Sequence, residues 1–193
     1  PIVYADVESL YPSIMLNYGI KPDGDALELF PAFLDKLTEM RLQTKEEMNR
    51  ADDPEARSEL DARQNSYKIL INSFYGMLGF GLAAFNDVSE ADRVATTGQK
   101  ILRQIIDLIH EDGGQVVEAD TDGVLFIPPD GVGGPEEERA YLDSLNEPMP
   151  EGIRIGFDGR YRRMLSYKKK NYALLSYDGK LKFKGSSLIS RSN

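Results

Sequence analysis

The sequence predicts an α+β fold in which a pair of helices is inserted after a first short strand. Residues 1–8 alternate in polarity and are partly β-branched or aromatic, which is typical of a strand. Residues 31–50 and 55–79 have helical periodicity, and a short proline-containing turn between them predicts an antiparallel helical hairpin. Asp-Gly pairs at 122–123 and 178–179 predict two β-hairpins further along. Because two helices are too thin to have a core of their own, we expect them to project as an arm from an antiparallel sheet.

Capping and turn residues predict the elements that follow the helical pair. A helix is expected over 88–112, with Ser89 as its N-cap and two glycines after its end. A second helix begins at Pro135 and ends near Asn146. Strands are expected at 115–119, 124–127, 153–157, 172–177 and 181–184.

Composition limits the chemistry that the chain can perform. The chain has 193 residues, which is enough for one substantial core or two small ones. It has no cysteine, so disulfides and thiolate chemistry are excluded, as fits an intracellular protein. With His110 as its single histidine, any metal must be held mostly by carboxylates, which favours Mg²⁺ or Mn²⁺. No apolar run approaches the roughly 18 residues of a membrane helix, so we expect no membrane partner.

Charge is segregated along the sequence. Residues 154–193 contain 11 Lys and Arg against 2 Asp and Glu, whereas residues 1–153 contain 12 against 30. The net charge of -9 by itself argues against a nucleic-acid partner, but the basic C-terminal segment predicts a surface that contacts a phosphate backbone.

Two segments place aspartates where strands end. Asp6 closes the first strand, and Asp120 and Asp122 lie in the first predicted hairpin. Side chains two residues apart on an extended chain share a face. If the first strand lies beside the hairpin, the carboxylates converge and need cations, which suits two metal ions about 4 Å apart.

The second helix of the hairpin carries a polar stripe opposite an apolar side. The stripe repeats at intervals of three or four residues, and a cation, an amide, an aromatic ring and a glycine suit a triphosphate, a sugar and a base in turn. Its members are Gln64, Lys68, Asn72, Tyr75 and Gly79, and the apolar side is expected to hold Ile69, Leu70, Phe74, Met77 and Leu78.

Five segments, in order, resemble the motifs of family B, replicative-type DNA polymerases. They are DVESLYPSI at 6–14, KILINSFYG at 68–76, ADTDG at 119–123, KKNY at 169–172 and KFKG at 182–185. The chain therefore resembles the palm and fingers region of that family. The resemblance implies an antiparallel-sheet palm with flanking helices at 1–33 and 80–193, with the two acidic segments adjacent at the sheet centre. It also implies an inserted helical-hairpin fingers subdomain at 34–79.

The resemblance also implies a role for each matched residue. The catalytic carboxylates are Asp6, Asp122 and, less directly, Asp120. Two Mg²⁺ ions, for which Mn²⁺ can substitute, are held by Asp6, Asp122 and the backbone carbonyl of Val7. The residues expected to bind the nucleotide are Tyr11, Arg41, Lys45, Lys68, Asn72 and Tyr75, with Tyr11 beneath the sugar selecting deoxynucleotides. The residues expected to bind DNA are Gly76, Lys169, Lys170, Tyr172 and Lys184.

The implied function is that of a catalytic core fragment of a DNA-directed DNA polymerase. Its expected partners are primer–template DNA, a deoxynucleoside triphosphate, and the exonuclease and thumb portions, which are expected to lie outside this chain. We expect little synthesis by the chain alone, because much of the surface that holds the duplex belongs to the thumb. The expected location is intracellular, in the nucleoid-associated cytoplasm if the source is prokaryotic.

Two departures from the family pattern keep other functions open. Glu118 stands where an aromatic ring is usual, and Gly123 stands where serine is common. They allow a catalytically silent, polymerase-like module that binds nucleic acid or supports assembly, although the intact Asp6, Asp122 and Lys68 argue against it. A reverse-transcriptase-like enzyme would also pair aspartates, but the SLYPSI and KxxxNSFYG strings disfavour it.

Overall fold

The computed structural model describes residues 1–185, which form a mixture of helices and antiparallel strands. The strands are β1 (Ile2–Val7), β2 (Gln115–Asp120), β3 (Gly123–Ile127), β4 (Ile155–Tyr161), β5 (Arg163–Lys168), β6 (Asn171–Leu175) and β7 (Leu181–Lys184). The helices are α1 (Leu10–Asn17), α2 (Leu29–Arg50), α3 (Pro54–Gly79), α4 (Val88–Glu111) and α5 (Pro135–Asn146). Among these, no helix is both long and apolar enough to cross a membrane.

The predicted elements are present, and two further elements were not predicted. Helix α1 has Pro12 in its first turn, a position that tolerates proline but weakens the helical pattern. Strand β5 has mostly exposed side chains, with a basic residue at each end, so its sequence lacks the alternation of a half-buried strand. The prediction that Ser89 caps α4 was wrong. Asp87 does so, because its carboxylate accepts hydrogen bonds from the Glu90 N–H and the Ser89 hydroxyl.

The strands form two antiparallel sheets. The first sheet has the order β2-β3-β1-β4, and the second has the order β5-β6-β7. Strand β1 therefore lies between β3 and β4, with Asp6 opposite Gly123 in the β1–β3 register. The predicted adjacency of the two acidic segments at the centre of a sheet is confirmed.

Contacts divide the chain into two compact units. The first contains residues 1–8 and the chain from Gly98 onward, and the second contains Ser9–Thr97. These limits differ from the palm and fingers ranges that the sequence suggested. Compactness defines structural units and not functional ones, so the assignment of 1–33, 34–79 and 80–193 stays a prediction, and its last eight residues lie outside the described part of the chain.

An apolar cluster joins the two sheets of the first unit. Its buried members come from β1, β3, β4 and β6, and each buried apolar side chain of this size contributes about 1.5–3 kcal/mol to folding. The cluster fixes the second sheet against the first and so holds the ends of β1, β2 and β3 in place. Its buried members are Ile2, Leu125, Tyr161, Tyr172 and Leu174, against which Tyr4, Val117 and Met164 pack.

The second unit is organised around the pair α2 and α3. A three-residue connection makes the helices antiparallel, and α1 packs against both. Phe30 lies at the centre, with its ring 4.9 Å from that of Phe74. Asp25 completes the start of α2 by accepting the N–H groups of Leu29 and Phe30 at 2.9 and 2.7 Å.

The predicted faces of α3 were partly wrong. Gln64 is buried instead of belonging to an exposed polar stripe, and Ile69 and Leu70 are 71% and 49% exposed instead of buried. The buried stripe is Gln64, Ile71, Phe74 and Leu78, and the spacings of seven, three and four residues place these positions on one helix face. Ile71 is the member that sequence reasoning missed.

A buried ion pair attaches α5 to the first sheet. Glu138 is fully buried, although it belongs to a run of three glutamates in the first turn of α5. Its carboxylate accepts the Nε–H of Arg160 at 2.8 Å. The same guanidinium donates to the Gly133 carbonyl at 2.9 Å and lies 4.3 Å from the centre of the Tyr177 ring. Arg160 thus joins α5, the loop before it and the turn between β6 and β7.

Removal of Glu138 should therefore be costly. Glu138→Ala leaves the half-buried guanidinium without its carboxylate, and we expect the free energy of unfolding to fall by about 3 kcal/mol. The measurement is urea unfolding of the chain. Glu136→Ala, an exposed position in the same helical turn, is the control and should cost less than about 1 kcal/mol. Equal losses for the two variants would show that the ion pair does not anchor α5.

Candidate functional site

The first unit brings the end of β1 to the turn between β2 and β3. Asp6 is paired with Gly123, and the Val7 N–H donates to the Asp122 carbonyl oxygen at 2.7 Å. Asp120 pairs with the same glycine from the other side of the hairpin. The three aspartates that the sequence singled out thus lie on three neighbouring strand ends of one sheet.

The pKa of the Tyr4 hydroxyl is raised mainly by burial and further by nearby negative charges. Tyr4 precedes Asp6 by two residues and shares its face of β1. Burial raises the pKa of the Tyr4 hydroxyl above its usual value, and the charges of Tyr172, Asp158, Asp6 and Asp122 raise it further. The charges of Asp6 and Asp122 therefore act on one and the same hydroxyl.

Asp158 is a carboxylate that sequence reasoning did not assign to this region. Tyr4 pairs with Gly159 and Ala5 with Phe157, so Asp158 is the extra residue of a bulge in β4. No spacing rule indicates a bulge in advance, and the register of β1 and β4 is what reveals it.

Asp120 has a different environment from Asp6 and Asp122. Its carboxylate pairs with the Lys170 ammonium at 2.6 Å and accepts the Thr121 hydroxyl at 2.9 Å. Partial burial opposes ionisation, but these hydrogen bonds and the Lys170 charge outweigh it and hold the pKa of Asp120 below its usual value. Asp120 is thus the ionic partner of a lysine, and its less direct catalytic role stays a prediction.

The donors of this region fit a magnesium ion. Mg²⁺ is bound in enzymes by one or two carboxylates together with water and substrate phosphates, and not by cages made only of protein. Asp6 and Asp122 carry carboxylates and Val7 carries a backbone carbonyl, which are oxygen donors of the kind that such an ion takes. Within residues 1–185, no group of three or more acidic or histidine side chains is placed to hold a metal ion, so the metal role of these donors stays a prediction.

Steric packing explains why a glycine occupies position 123 in the DTDG turn. A β-carbon added to Gly123 would lie 2.7 Å from Cε2 and 2.9 Å from the hydroxyl oxygen of Tyr4. The Tyr4 ring therefore occupies the space that a serine side chain would need. The departure of Gly123 from the commoner serine is a packing feature of β1 against β3.

The second unit carries the residues that the resemblance assigns to the nucleotide. The rings of Tyr11 on α1 and Tyr75 on α3 are in contact, with centroids 4.5 Å apart. Arg41 on α2 is half-buried and donates to the Ser9 hydroxyl at 3.1 Å. Two pairs that are each one helical turn apart complete the set: Arg41 with the exposed Lys45 on α2, and the exposed Lys68 with the exposed Asn72 on α3.

The residues expected to bind DNA differ in exposure. Lys169 and Lys184 are exposed, and Gly76 is exposed on α3 of the second unit. The Lys170 ammonium is engaged with Asp120, and Tyr172 is 4% exposed within the apolar cluster. For Tyr172 this burial favours an indirect role in DNA binding.

A strand-end aspartate beside an aspartate hairpin places carboxylates on adjacent segments of one sheet. Comparison with known proteins identifies the family. Residues 25–131 match the model of DNA polymerase family B. This match covers more than half of the chain, and the chain belongs to family B of the DNA polymerases.

Individual relatives agree with the family assignment. The DNA polymerase of Thermococcus gorgonarius is 30% identical over 98% of this chain and 28% of its own length. The DNA polymerase of Paramecium bursaria Chlorella virus NY2A is 31% identical over 98% of this chain and 23% of its own length. The structure of the family B DNA polymerase from the hyperthermophilic archaeon Pyrobaculum calidifontis superposes with a TM-score of 0.74 and 27% identity, over 95% of this chain and 27% of that one. The chain thus spans about a quarter of the relatives it matches.

The contact between Gly123 and Tyr4 is open to a direct test. Gly123→Ala forces the Tyr4 ring to move, and we expect a loss of about 1–3 kcal/mol in the free energy of unfolding. In a Tyr4→Ala background the same change should cost clearly less, because the obstructing ring is gone. Gly81→Ala, at a glycine with no atom near the added carbon, is the control. A Gly123→Ala loss that is the same in both backgrounds would contradict the packing explanation.

Proposed function

We propose that this chain is the catalytic core of a DNA-directed DNA polymerase that transfers a deoxynucleotide from its triphosphate to a primer 3′-hydroxyl. The observation that carries the proposal is the β1–β3 pairing, which sets Asp6 opposite Gly123 and bonds Val7 to Asp122. Membership of family B supports the reaction class.

In this proposal the side chains and backbone of the site contribute by electrostatic positioning. Asp6, Asp122 and the Val7 carbonyl would hold divalent cations, Mg²⁺ in the first place and Mn²⁺ as a substitute. When bound, a pair of such ions activates the primer hydroxyl and stabilises the charge on the triphosphate and the leaving pyrophosphate. Asp120 keeps Lys170 in place beside the hairpin. The side chains therefore orient and neutralise reacting groups without forming a covalent bond.

The second unit is proposed to bind the incoming nucleotide. Arg41, Lys45 and Lys68 supply positive charge for the triphosphate, and Asn72 supplies an amide. Tyr11, held by its contact with Tyr75, would lie beneath the sugar and leave no room for a ribose 2′-hydroxyl. That arrangement favours deoxynucleotides over ribonucleotides.

Primer–template DNA is the proposed macromolecular partner. The basic segment from residue 154 onward supplies charge for a phosphate backbone, and its Lys169 and Lys184 are exposed. The acidic remainder of the chain repels the same duplex. Because the chain spans about a quarter of its relatives, we propose that further polymerase portions, including a thumb and an exonuclease, contribute to holding the duplex.

The proposal is tested by primer extension with Mg²⁺ at low salt, with the chain joined to, or mixed with, the remaining polymerase portions. Wild type should extend the primer, and Asp122→Asn should lower the rate by at least about 100-fold, because it removes one of the two carboxylates proposed to hold the divalent ions. Asp130→Asn, an exposed aspartate after β3, should leave the rate within about twofold and is the control for loss of one negative charge.

The outcomes separate the candidate functions. Extension that is equally fast with Asp122→Asn would overturn the assigned carboxylates. If the assembled protein binds primer–template but extends nothing, the chain is a silent nucleic-acid-binding module.

Gly76 provides a second prediction about the same function. Glycine inside a helix costs about 0.5–1 kcal/mol relative to alanine, and a β-carbon at Gly76 would meet no atom of residues 1–185 within 4 Å apart from its chain neighbours and the nearby backbone of its own helix. Packing within the described residues thus gives no reason for a glycine there, whereas DNA passing close to α3 would. Gly76→Ala should raise the free energy of unfolding by about 0.5–1 kcal/mol and should reduce primer extension several-fold.

The matched control is Ser58→Ala, at an exposed position of the same helix. It should also stabilise α3 slightly but should leave extension unchanged. Full extension by Gly76→Ala would mean that no ligand approaches α3 at this point.

A further inference from the structure

Glu118 makes a contact that the sequence did not predict. It lies on β2, two residues before Asp120, and its Oε1 accepts the backbone N–H of Lys170 at 2.9 Å. Lys170 belongs to the turn between β5 and β6, in the other sheet of the first unit. The carboxylate that replaces the usual aromatic ring therefore links the aspartate hairpin to the turn of the KKNY segment.

The backbone of Lys170 is restrained at several points. Its φ of 60° lies in the left-handed region, which residues other than glycine seldom adopt without support. Glu118 fixes its N–H, and Asp120 fixes its ammonium at 2.6 Å. Any side chain at Gly185 would overlap the Lys170 carbonyl, so the chain after β7 packs closely against the same residue.

A bulge in β2 is what allows Glu118 to reach the turn. Val116 pairs with Phe126 and Glu118 with Leu125, so Val117 is the extra residue. In a regular strand, neighbouring side chains point to opposite faces. Here Val117 packs on the apolar cluster that joins the sheets, and the adjacent Glu118 also contacts the second sheet.

We propose that Glu118 is a positioning residue that holds the β5–β6 turn against the aspartate hairpin and thereby presents Lys168 and Lys169 to the phosphates of primer–template DNA. The inference rests on the proposed function. A carboxylate that merely stood near a basic DNA-binding surface would repel phosphates, and its removal would strengthen DNA binding. Removal of a positioning carboxylate would instead weaken DNA binding, because the turn that carries the lysines would no longer be held in place.

The test compares two substitutions with the same change in charge. Glu118→Gln retains an oxygen that accepts the Lys170 N–H, whereas Glu118→Ala does not. Binding of a labelled primer–template to the 193-residue chain is measured over a series of low salt concentrations, with Glu151→Ala, an exposed carboxylate in the turn before β4, as the control for lost charge. Hydrogen exchange of the Lys170 amide is measured on the same proteins without DNA.

We expect Glu118→Ala to bind DNA about three- to tenfold more weakly than Glu118→Gln, the range for one net hydrogen bond. The slope of log affinity against log salt should fall by about one for each lysine–phosphate contact that is lost, which a general loss of folded protein would not cause. The Lys170 amide should exchange faster in Glu118→Ala than in Glu118→Gln and wild type. Glu151→Ala should bind at least as tightly as wild type.

Other results would overturn the inference. If Glu118→Ala and Glu118→Gln bind DNA equally while wild type binds normally, Glu118 is no more than a local negative charge, and the proposed function is unaffected. Equal amide exchange in both variants would show that the carboxylate does not hold the turn. If wild type binds no primer–template at any salt concentration, the proposed DNA partner is wrong, and a role of Glu118 towards DNA fails with it.

Discussion

The antiparallel pairing of β1 with β3 is the constraint on which the rest of the structure depends. Side chains alternate along a strand, so a slip of one residue in this register would turn Asp6 and Tyr4 together to the opposite face of the sheet, away from the aspartate hairpin. The apolar cluster between the sheets stabilises this register, and so does the hydrogen bond from the Val7 N–H to the Asp122 carbonyl at the end of the strand. The same packing explains Gly123, because the Tyr4 ring fills the space beside it.

The acidic side chains of the first unit have two different kinds of environment. Asp120 is neutralised by Lys170, and Glu138 by Arg160. These pairs fasten the β5–β6 turn and α5 to the first sheet. Asp6 and Asp122 instead add their charges at a single hydroxyl, that of Tyr4, whose pKa they help to raise. A divalent ion held by both carboxylates would neutralise their charge, so the proposed magnesium site depends on the β1–β3 pairing.

Elements that are determined by neighbouring residues were predictable from the sequence. Features that depend on tertiary contacts were not. The helical pair, the DTDG hairpin and the strand at 181–184 follow from periodicity and turn residues, and the motif order indicated the family. The exposure of Ile69, the burial of Glu138 and the bulge at Asp158 depend on partners distant in sequence. Strand β5 was missed for a different reason, because its side chains are mostly exposed and its sequence therefore shows no alternation. Of the assigned site, the pairing of Asp6 with the hairpin is confirmed, whereas the roles towards nucleotide and DNA stay predictions.

Binding of Mn²⁺ to the chain, followed by electron paramagnetic resonance, tests most directly whether Asp6 and Asp122 share divalent ions. The proteins required are wild type, Asp6→Asn, Asp122→Asn, the double variant, and Asp120→Asn as a neighbouring carboxylate that Lys170 already occupies. If the two aspartates act on common ions, each single substitution should weaken binding nearly as much as both together, and Asp120→Asn should have a smaller effect. The shared site would be contradicted if Asp6→Asn and Asp122→Asn each reduced Mn²⁺ affinity only as much as Asp120→Asn, and if their effects simply added in the double variant.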